Sequence, residues 1–587
     1  MKFKLNIPAA LLIFLILYVL LLGVRPLVSP DEARYVEIPR EMLADHDYVT
    51  PRLNGARYFE KPIMGYWLIA GAMRVFGENA FAGRFAPAVS TGLAALIVLL
   101  LAQKMTGRRE VGWFAAGTFL LMPLVFIVGT TCTLDAIFSL FVTATVAAFY
   151  CAMEGFLEKK PVKCVLWLLA TGAAAGCAFL VKGFLAFALP VMAVLPWLVW
   201  EKRWKAIFTL PWLPFVVALI VIAPWAILIH RAQPDYWRYF IVDEHLNRFG
   251  LMGEAKVEHP HGPFFFVLTL LWGAGEWFLL APAIGLGFRK IGVRGKENSW
   301  IRFLICWFAG PFLFLSASSG KLPTYILPCF PALAIMVSAA LFRYFEERPD
   351  GKGRLFNVPL MILGGGLALA IVAGLVAVCL GLPGRFGITV FEKNETWKCF
   401  ILFNMLVLTL LGTAAAFTEK KPARKLSYFI AAVMPAFIGT FFVIPQRFYD
   451  VRSMGRFLEE CRDEITPDTL IISRGTDFHA VCYFYKRNDV YLLSPGELTY
   501  GMAYPEDKPR ELLYSTGGRT EDDPRVGVRQ FLKENPGRKV VMFFPASHFY
   551  RIRQQSGSFP DPLLVKKSIE SDPETKKADG FVMVRFQ

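Results

Sequence analysis

Charge is scarce in this sequence. Asp, Glu, Lys and Arg make up 19% of its 587 residues while 55% are hydrophobic, more apolar side chains than a soluble core of that length can bury. An ordinary water-soluble protein is thereby excluded, and an integral membrane protein is expected. Paired cysteines are lacking as well. The ten cysteines show no C-x-x-C spacing, and most, such as Cys151, Cys177 and Cys306, sit in apolar runs where cysteine is a small hydrophobe. No disulfide framework is supported; only Cys461 and Cys482, in the polar C-terminal region, stand where an oxidising compartment would let two thiols pair. A Walker-type glycine loop, low-complexity segments and internal repeats are absent too.

What is present is apolar length. Leu5 to Val24 is an uncharged run preceded by Lys2 and Lys4, long enough to cross a bilayer as a helix, and no A-x-A site follows it as in a cleaved signal peptide. A membrane-span window finds about thirteen spans, centred near residues 15, 91, 120, 144, 173, 192, 218, 275, 310, 333, 368, 408 and 435. With a cytoplasmic N-terminus every second loop should be basic, and six are, among them Lys104/Arg108/Arg109, Lys202/Arg203/Lys205 and Lys420/Lys421/Arg424/Lys425. The net charge of +16 therefore reflects topology. Spread over short loops, it suits anionic lipid headgroups and not nucleic acid, and loops of that length cannot hold an ATPase domain.

An odd number of spans leaves the chain after about residue 445 outside the cytoplasm. The expected organisation is thus a mainly α transmembrane domain, 1–445, followed by a small α/β domain, 446–587. In the latter, "DTLIIS", "HAVCYFYKR", "DVYLLS", "RKVVMFFPA" and "GFVMVRF" alternate strand and helix patterns. A structural cap is its expected role. The other exposed region, 25–80, is dense in charges and aromatics, and "DEARYVEIPREMLA" has the spacing of a short amphipathic helix at the membrane surface.

Three isolated charges stand out. Asp135 is alone from Val111 to Met153, Lys182 from Cys164 to Trp200, and Lys321 from Phe303 to Phe342. Each sits at a turn between two spans on the expected outer side, where a charge near lipid must be hydrated or paired. Singly, each has an even alternative as a snorkelling or helix-terminal charge; three on one face favour function. The same side carries Asp31, Glu32, Arg34, Arg57, Glu60 and Lys61 in the first outer loop and Glu244, His245 and Arg248 in "DEHLNRF". Cations in a low-dielectric site suit a phosphate, which they hold and neutralise as it departs. The carboxylates are suited to sugar hydroxyls, an amine or base catalysis. Glu60 with His245 offers two ligands to a divalent metal, which is not a closed site, so a hydrogen-bonded structural role stands beside it.

"SPDEARYVEIPREMLADHDYVTPRLNGARYFEKPIMGYW", "VKGFLAFALPV", "VDEHLNRF" and "GKLPTYILPCF" together resemble the lipid A 4-amino-4-deoxy-L-arabinose transferases, polyprenyl-phosphate-dependent glycosyltransferases of the GT-C fold. "GELTYGMAYPEDK" extends the resemblance over nearly the full length. It implies transfer of aminoarabinose from undecaprenyl phosphate to a lipid A phosphate at the periplasmic face of the bacterial inner membrane, with resistance to cationic antimicrobial peptides. By motif it implies Lys61, Arg248 and Tyr325 as ligands of the carrier phosphate, with Lys321 and Lys182 nearby. Asp31 and Asp135 are implied as the functional acids, and Tyr58, Glu60 and His245 as their companions. Arg57 and Arg34 belong to the same substrate-binding loop, and Glu60 and His245 match positions able to bind zinc, although no cofactor is required. Because a lipid A phosphate is already an anion, Asp31 or Asp135 is expected to orient the sugar or pair with its ammonium group in preference to acting as a base. "SSGKLP" and the long "EHPHGPFFF" loop depart from the pattern of the best-known members. A GT-C transferase of another polyprenyl-linked sugar is the nearest alternative. A polyprenyl-lipid transporter fits less well, because no run of charges crosses the midplane.

Overall fold

The computed structural model describes residues 12–246, 260–318, 320–348, 353–379, 391–474, 477–494, 512–514, 526–555, 561–569 and 580–586. Its chain forms two compact units, one of Met1–Val24, Arg84–Ala226 and Ala255–Ile444, the other of Arg25–Gly83, Ile227–Glu254 and Pro445–Gln587.

The long apolar runs fold as helices, the one conformation that satisfies a backbone inside lipid without a partner strand. Eight are long and apolar enough to cross a membrane: Ala80–Thr106, Asp135–Leu157, Pro161–Lys182, Trp204–Ala232, Lys296–Ala317, Pro323–Glu346, Arg354–Ala377 and Trp397–Thr418. A ninth is counted if Arg109–Leu120 and Pro123–Gly129, bent by 67°, form one span. Pro123 sits at that bend, where its ring and missing N–H interrupt the ladder. Length and composition thus do not reach thirteen among the described residues. Leu185–Trp200 and Phe265–Ala274 are shorter apolar helices, and the run centred on residue 275 breaks at Gly275, whose φ of 57° is left-handed.

Burial orders the helices of the first unit. The apolar window of Asp135–Leu157 is 89% buried, whereas those of Arg354–Ala377 and Trp397–Thr418 are 17% buried and present Leu369, Phe400 and Leu411 outward, as a lipid-facing helix must. Glycine sets the closest approach. A Cβ at Gly310 would fall 1.9 Å from the carbonyl oxygen of Met192, so Ser299–Ala317 presses onto Leu185–Trp200 only because that atom is missing.

The second unit joins the outer loop to the C-terminal segment. Its first helix, α1 (Asp31–Asp45), is the expected one, with Asp31 and Glu32 in the first turn facing the positive end of the helix dipole. Four of its charged side chains are buried rather than facing water: Glu32, Glu37, Arg40 and Glu41. Arg40 donates from Nε and Nη2 to the two oxygens of Glu37, each at 2.7 Å. Glu41 accepts the backbone N–H groups of Asn54 at 2.6 Å and Gly55 at 3.0 Å, in the turn between the two-residue strands β1 (Arg52–Leu53) and β2 (Ala56–Arg57). Met64–Phe76, called α2, follows.

The C-terminal segment builds a seven-stranded sheet in the order β6-β5-β4-β3-β7-β9-β8. The strands are β3 (Leu470–Arg474), β4 (Tyr491–Ser494), β5 (Leu512–Tyr514), β6 (Val526–Gly527), β7 (Val540–Pro545), β8 (Leu564–Lys567) and β9 (Phe581–Arg585). β6, β5, β4, β3 and β7 run parallel, β3 meeting β7 with Ile472 opposite Met542, and β9 is antiparallel to both its neighbours, β7 and β8. β3, β7 and β9 are covered on both faces, which is why they read as apolar runs. The edge strand β8 alternates and carries Lys566 and Lys567, which blunt it against further pairing. Helix α3 (Phe478–Tyr485) follows β3. Cys461 and Cys482 are both buried and form no disulfide with each other, contrary to the pairing the composition allowed; Cys482 Sγ lies 3.5 Å from Asn54 Oδ1 instead.

Candidate active site

In the second unit the outer-loop charges converge on Glu60. Its Oε2 accepts from Arg34 Nη1 at 3.4 Å and from the buried Tyr58 hydroxyl, and its Oε1 accepts from Lys61 Nζ at 3.0 Å. Burial would raise the pKa of Glu60, but Lys61 and Arg34, helped by the Tyr58 and Lys61 hydrogen bonds, outweigh it and hold the carboxyl well below the usual range. Glu60 is therefore an anion that organises cations, not an acid ready to give a proton. Arg34 also bonds Asp31 at 2.8 Å through Nη2, and burial, which would lower its basicity, is overcome by Tyr58, Tyr35, Glu60 and Asp31. Asp31, at the first turn of α1 with its side chain 58% exposed, is the carboxylate of this group most open to solvent. Arg57 Nη1 donates to Gln233 Oε1 at 3.0 Å.

In the first unit the isolated charges meet for a geometric reason. The helices Asp135–Leu157 and Pro161–Lys182 are joined by a short turn, so the start of one and the end of the other lie at the same end of the pair. Asp135 opens the first and Lys182 closes the second, each the charge that its helix dipole favours. Lys182 Nζ donates to Asp135 Oδ1 at 2.7 Å, with only 10% and 14% of the two side chains exposed. The ammonium also lies 5.1 Å from the ring centre of Tyr325, on the short 3-10 segment Pro323–Cys329. Lys321 is 3% exposed and donates to the carbonyl of His261 at 3.0 Å and to that of Ser318. Among the described residues no carboxylate lies within ion-pair distance of it.

Arg248 and the side chain of His245 lie outside the described residues, as does "GELTYGMAYPEDK". A metal on Glu60 and His245 is not supported. Both Glu60 oxygens already face cations, and among the described residues no group of three His, Cys, Asp or Glu could hold a metal ion. Two residues of the second unit escaped the sequence reading. His479 of α3 is buried beside the Arg34–Glu60 pair and hydrogen-bonds the Pro30 carbonyl, and Asn54 is buried against Val490. Their partners are distant in sequence, and no local spacing marks either.

The fold and these ionisable clusters define a multi-pass membrane protein of the GT-C class. Residues 4–240 match the family described as dolichyl-phosphate-mannose-protein mannosyltransferase, and residues 449–516 match the arabinosyl transferase ArnT C-terminal domain. In crystal structures, ArnT from Cupriavidus metallidurans superposes with a TM-score of 0.74 at 22% identity, covering 99% of this chain and 96% of the apo chain; the undecaprenyl phosphate-bound form gives the same score over 97% of its length. That likeness is one of fold. Undecaprenyl phosphate-alpha-4-amino-4-deoxy-L-arabinose arabinosyl transferase of Shewanella sediminis is 35% identical over 88% of this chain and 91% of its own. The proteins of that name from Edwardsiella ictaluri and Yersinia pestis are each 33% identical, over 84% and 92% of this chain and 87% and 94% of theirs. The chain belongs to this arabinosyl transferase family.

Proposed function

We propose that this protein transfers 4-amino-4-deoxy-L-arabinose from undecaprenyl phosphate to a phosphate of lipid A, at the periplasmic face of the inner membrane. Beyond family membership, the observation that carries this reading is Lys321: a buried ammonium held, among the described residues, by carbonyl oxygens alone is costly unless an anion completes it. A phosphate at a membrane surface is such an anion. In the reaction an oxygen of the acceptor phosphate attacks the anomeric carbon, the bond from that carbon to the carrier phosphate oxygen breaks, and the electron pair leaves with undecaprenyl phosphate. This is a single displacement with inversion, without redox change and without a proton to remove from an already ionised acceptor.

The residues divide the work by charge. In the first unit Lys321 and Lys182 are suited to phosphate charge, with Tyr325 beside the Lys182 ammonium; in the second, Lys61 is suited to phosphate charge and Glu60 sets the places of Arg34, Tyr58 and Lys61. Asp31, exposed beside Arg34, is suited to the sugar ammonium or a hydroxyl. Arg57, which also donates to Gln233, belongs to the same substrate-binding loop. An added ammonium on lipid A lowers its negative charge and hence its attraction for cationic peptides.

Mass spectrometry of lipid A tests the reading directly. In a host that lacks its own transferase but makes the aminoarabinose carrier lipid, expression of this chain is expected to add one aminoarabinose mass, and no addition by correctly inserted protein would remove the assignment of sugar or acceptor. The N-terminus is cytoplasmic and the 446–587 domain periplasmic in this reading, so a reporter that is active only in the periplasm should be active when fused after residue 445. Cytoplasmic activity there would reverse the orientation.

A further inference from the structure

The α/β domain touches the outer loop through a small number of buried polar contacts, all within the second unit. Asn54 is 1% exposed, and its side chain engages one residue twice, donating from Nδ2 to the Val490 carbonyl at 2.8 Å and accepting the Val490 N–H at 3.0 Å. Val490 immediately precedes β4, an interior strand of the sheet. Asn54 has a φ of 54°, a left-handed conformation that asparagine tolerates and branched residues do not, and its own N–H is bound to Glu41 of α1. At the other end of α1, His479 hydrogen-bonds the carbonyl of Pro30, the residue before Asp31, and Ser29 N–H donates to the Arg452 carbonyl at 2.8 Å.

His479 is a poor choice for mere packing. It is 2% exposed and its Nδ1 is buried without a hydrogen-bond partner among the described residues, a loss of about 1–3 kcal/mol that an apolar side chain would avoid. Burial first, and then the charge of Arg34, push its imidazolium down to about 3, so the ring stays neutral and adds no positive charge beside Arg34.

We propose that the C-terminal α/β domain is a positioning module, in which the Asn54–Val490 clasp and the His479–Pro30 contact fix α1 and the Arg52–Lys61 loop so that Asp31, Arg34, Glu60 and Lys61 keep one arrangement. The inference deepens the proposed function, since it rests on those four residues serving the transfer. Asn54 and His479 are positioning residues and touch no substrate.

The test uses the full chain in lipid nanodiscs with Asn54→Gly, which keeps the left-handed backbone and deletes only the clasp, and with His479→Leu and His479→Gln. Expected are retained cooperative unfolding, faster hydrogen exchange confined to residues 31–61, and transfer reduced about tenfold in Asn54→Gly and His479→Leu. His479→Gln, which can still donate to the Pro30 carbonyl, should recover most of the rate. Combined with Glu60→Gln, the Asn54→Gly loss should be much less than additive, because a Glu60 already out of place has little left to lose. Additive losses, or faster exchange with unchanged transfer, overturn the proposal. If the wild type transfers no aminoarabinose, the functional reading fails separately. The positioning claim is then decided by whether bound undecaprenyl phosphate slows exchange of residues 57–61 in wild type and not in Asn54→Gly; equal slowing in both overturns it.

Discussion

Lys321→Ala is expected to cut aminoarabinose transfer by roughly 10²–10³-fold while leaving the protein folded and inserted, the range found when one preorganised donor to developing charge is removed. The argument begins with burial. At 3% exposed, Lys321 is not a snorkelling lysine with its head in water. Its partners are the carbonyls of His261 and Ser318, the second at the C-terminal end of the helix Ser299–Ala317, where the dipole favours a cation. Two carbonyls offset only part of the cost of burying an ammonium, and among the described residues no carboxylate supplies the remainder. A departing phosphate would. Transfer rates and the thermal unfolding midpoint, measured together on wild type and Lys321→Ala, separate the two roles open to this side chain. A wild-type rate with lowered stability would make Lys321 a brace between the residue 261 and 318 turns, and nothing more. Lys321→Arg should recover part of the rate, since the charge remains but a planar fork replaces a point donor.

Much of the molecule is written in local sequence. Apolar runs predicted the helices because a bilayer leaves no other use for them, and Asp135, Lys182 and Lys321 were visible because each was alone among apolar neighbours. "DTLIIS", "RKVVMFFPA" and "GFVMVRF" were legible as strands because β3, β7 and β9 are covered on both faces. What stayed hidden depends on distant partners or on geometry. A hydropathy window cannot see that Gly275 breaks a helix or that Pro123 bends one, so it counts spans that length does not support. The polar side of α1 looked like a solvated face, yet Glu37 closes on Arg40, and Glu41 on the Asn54 and Gly55 amides. Glu60 resembled a metal ligand in sequence because its motif does not say that Arg34, twenty-six positions earlier, takes one of its oxygens.

Asp135→Asn should be nearly as damaging as Lys321→Ala, about 10²-fold or more in turnover, and for a different reason. Asp135 and Lys182 are 2.7 Å apart and mostly buried at matching helix ends, so the carboxylate both neutralises the lysine and fixes where its ammonium points. Replacing it by the isosteric amide keeps the shape and removes the charge. The pair then carries a net positive charge and Lys182 loses its tether, although Tyr325 still lies beneath it. Binding of undecaprenyl phosphate should therefore tighten while transfer falls, because attraction that is as strong for the bound carrier as for the transition state does nothing for the chemical step and slows product departure. The pairing of tighter carrier binding with slower turnover separates this account from an acid-base role for Asp135, in which turnover would fall with carrier affinity unchanged. Asp135→Asn combined with Lys182→Met should abolish the extra affinity and restore stability, since an uncharged pair strands no buried ion. It should not restore transfer. Recovery of transfer by the double variant would mean that the two charges serve only each other, and that the departing phosphate is stabilised elsewhere.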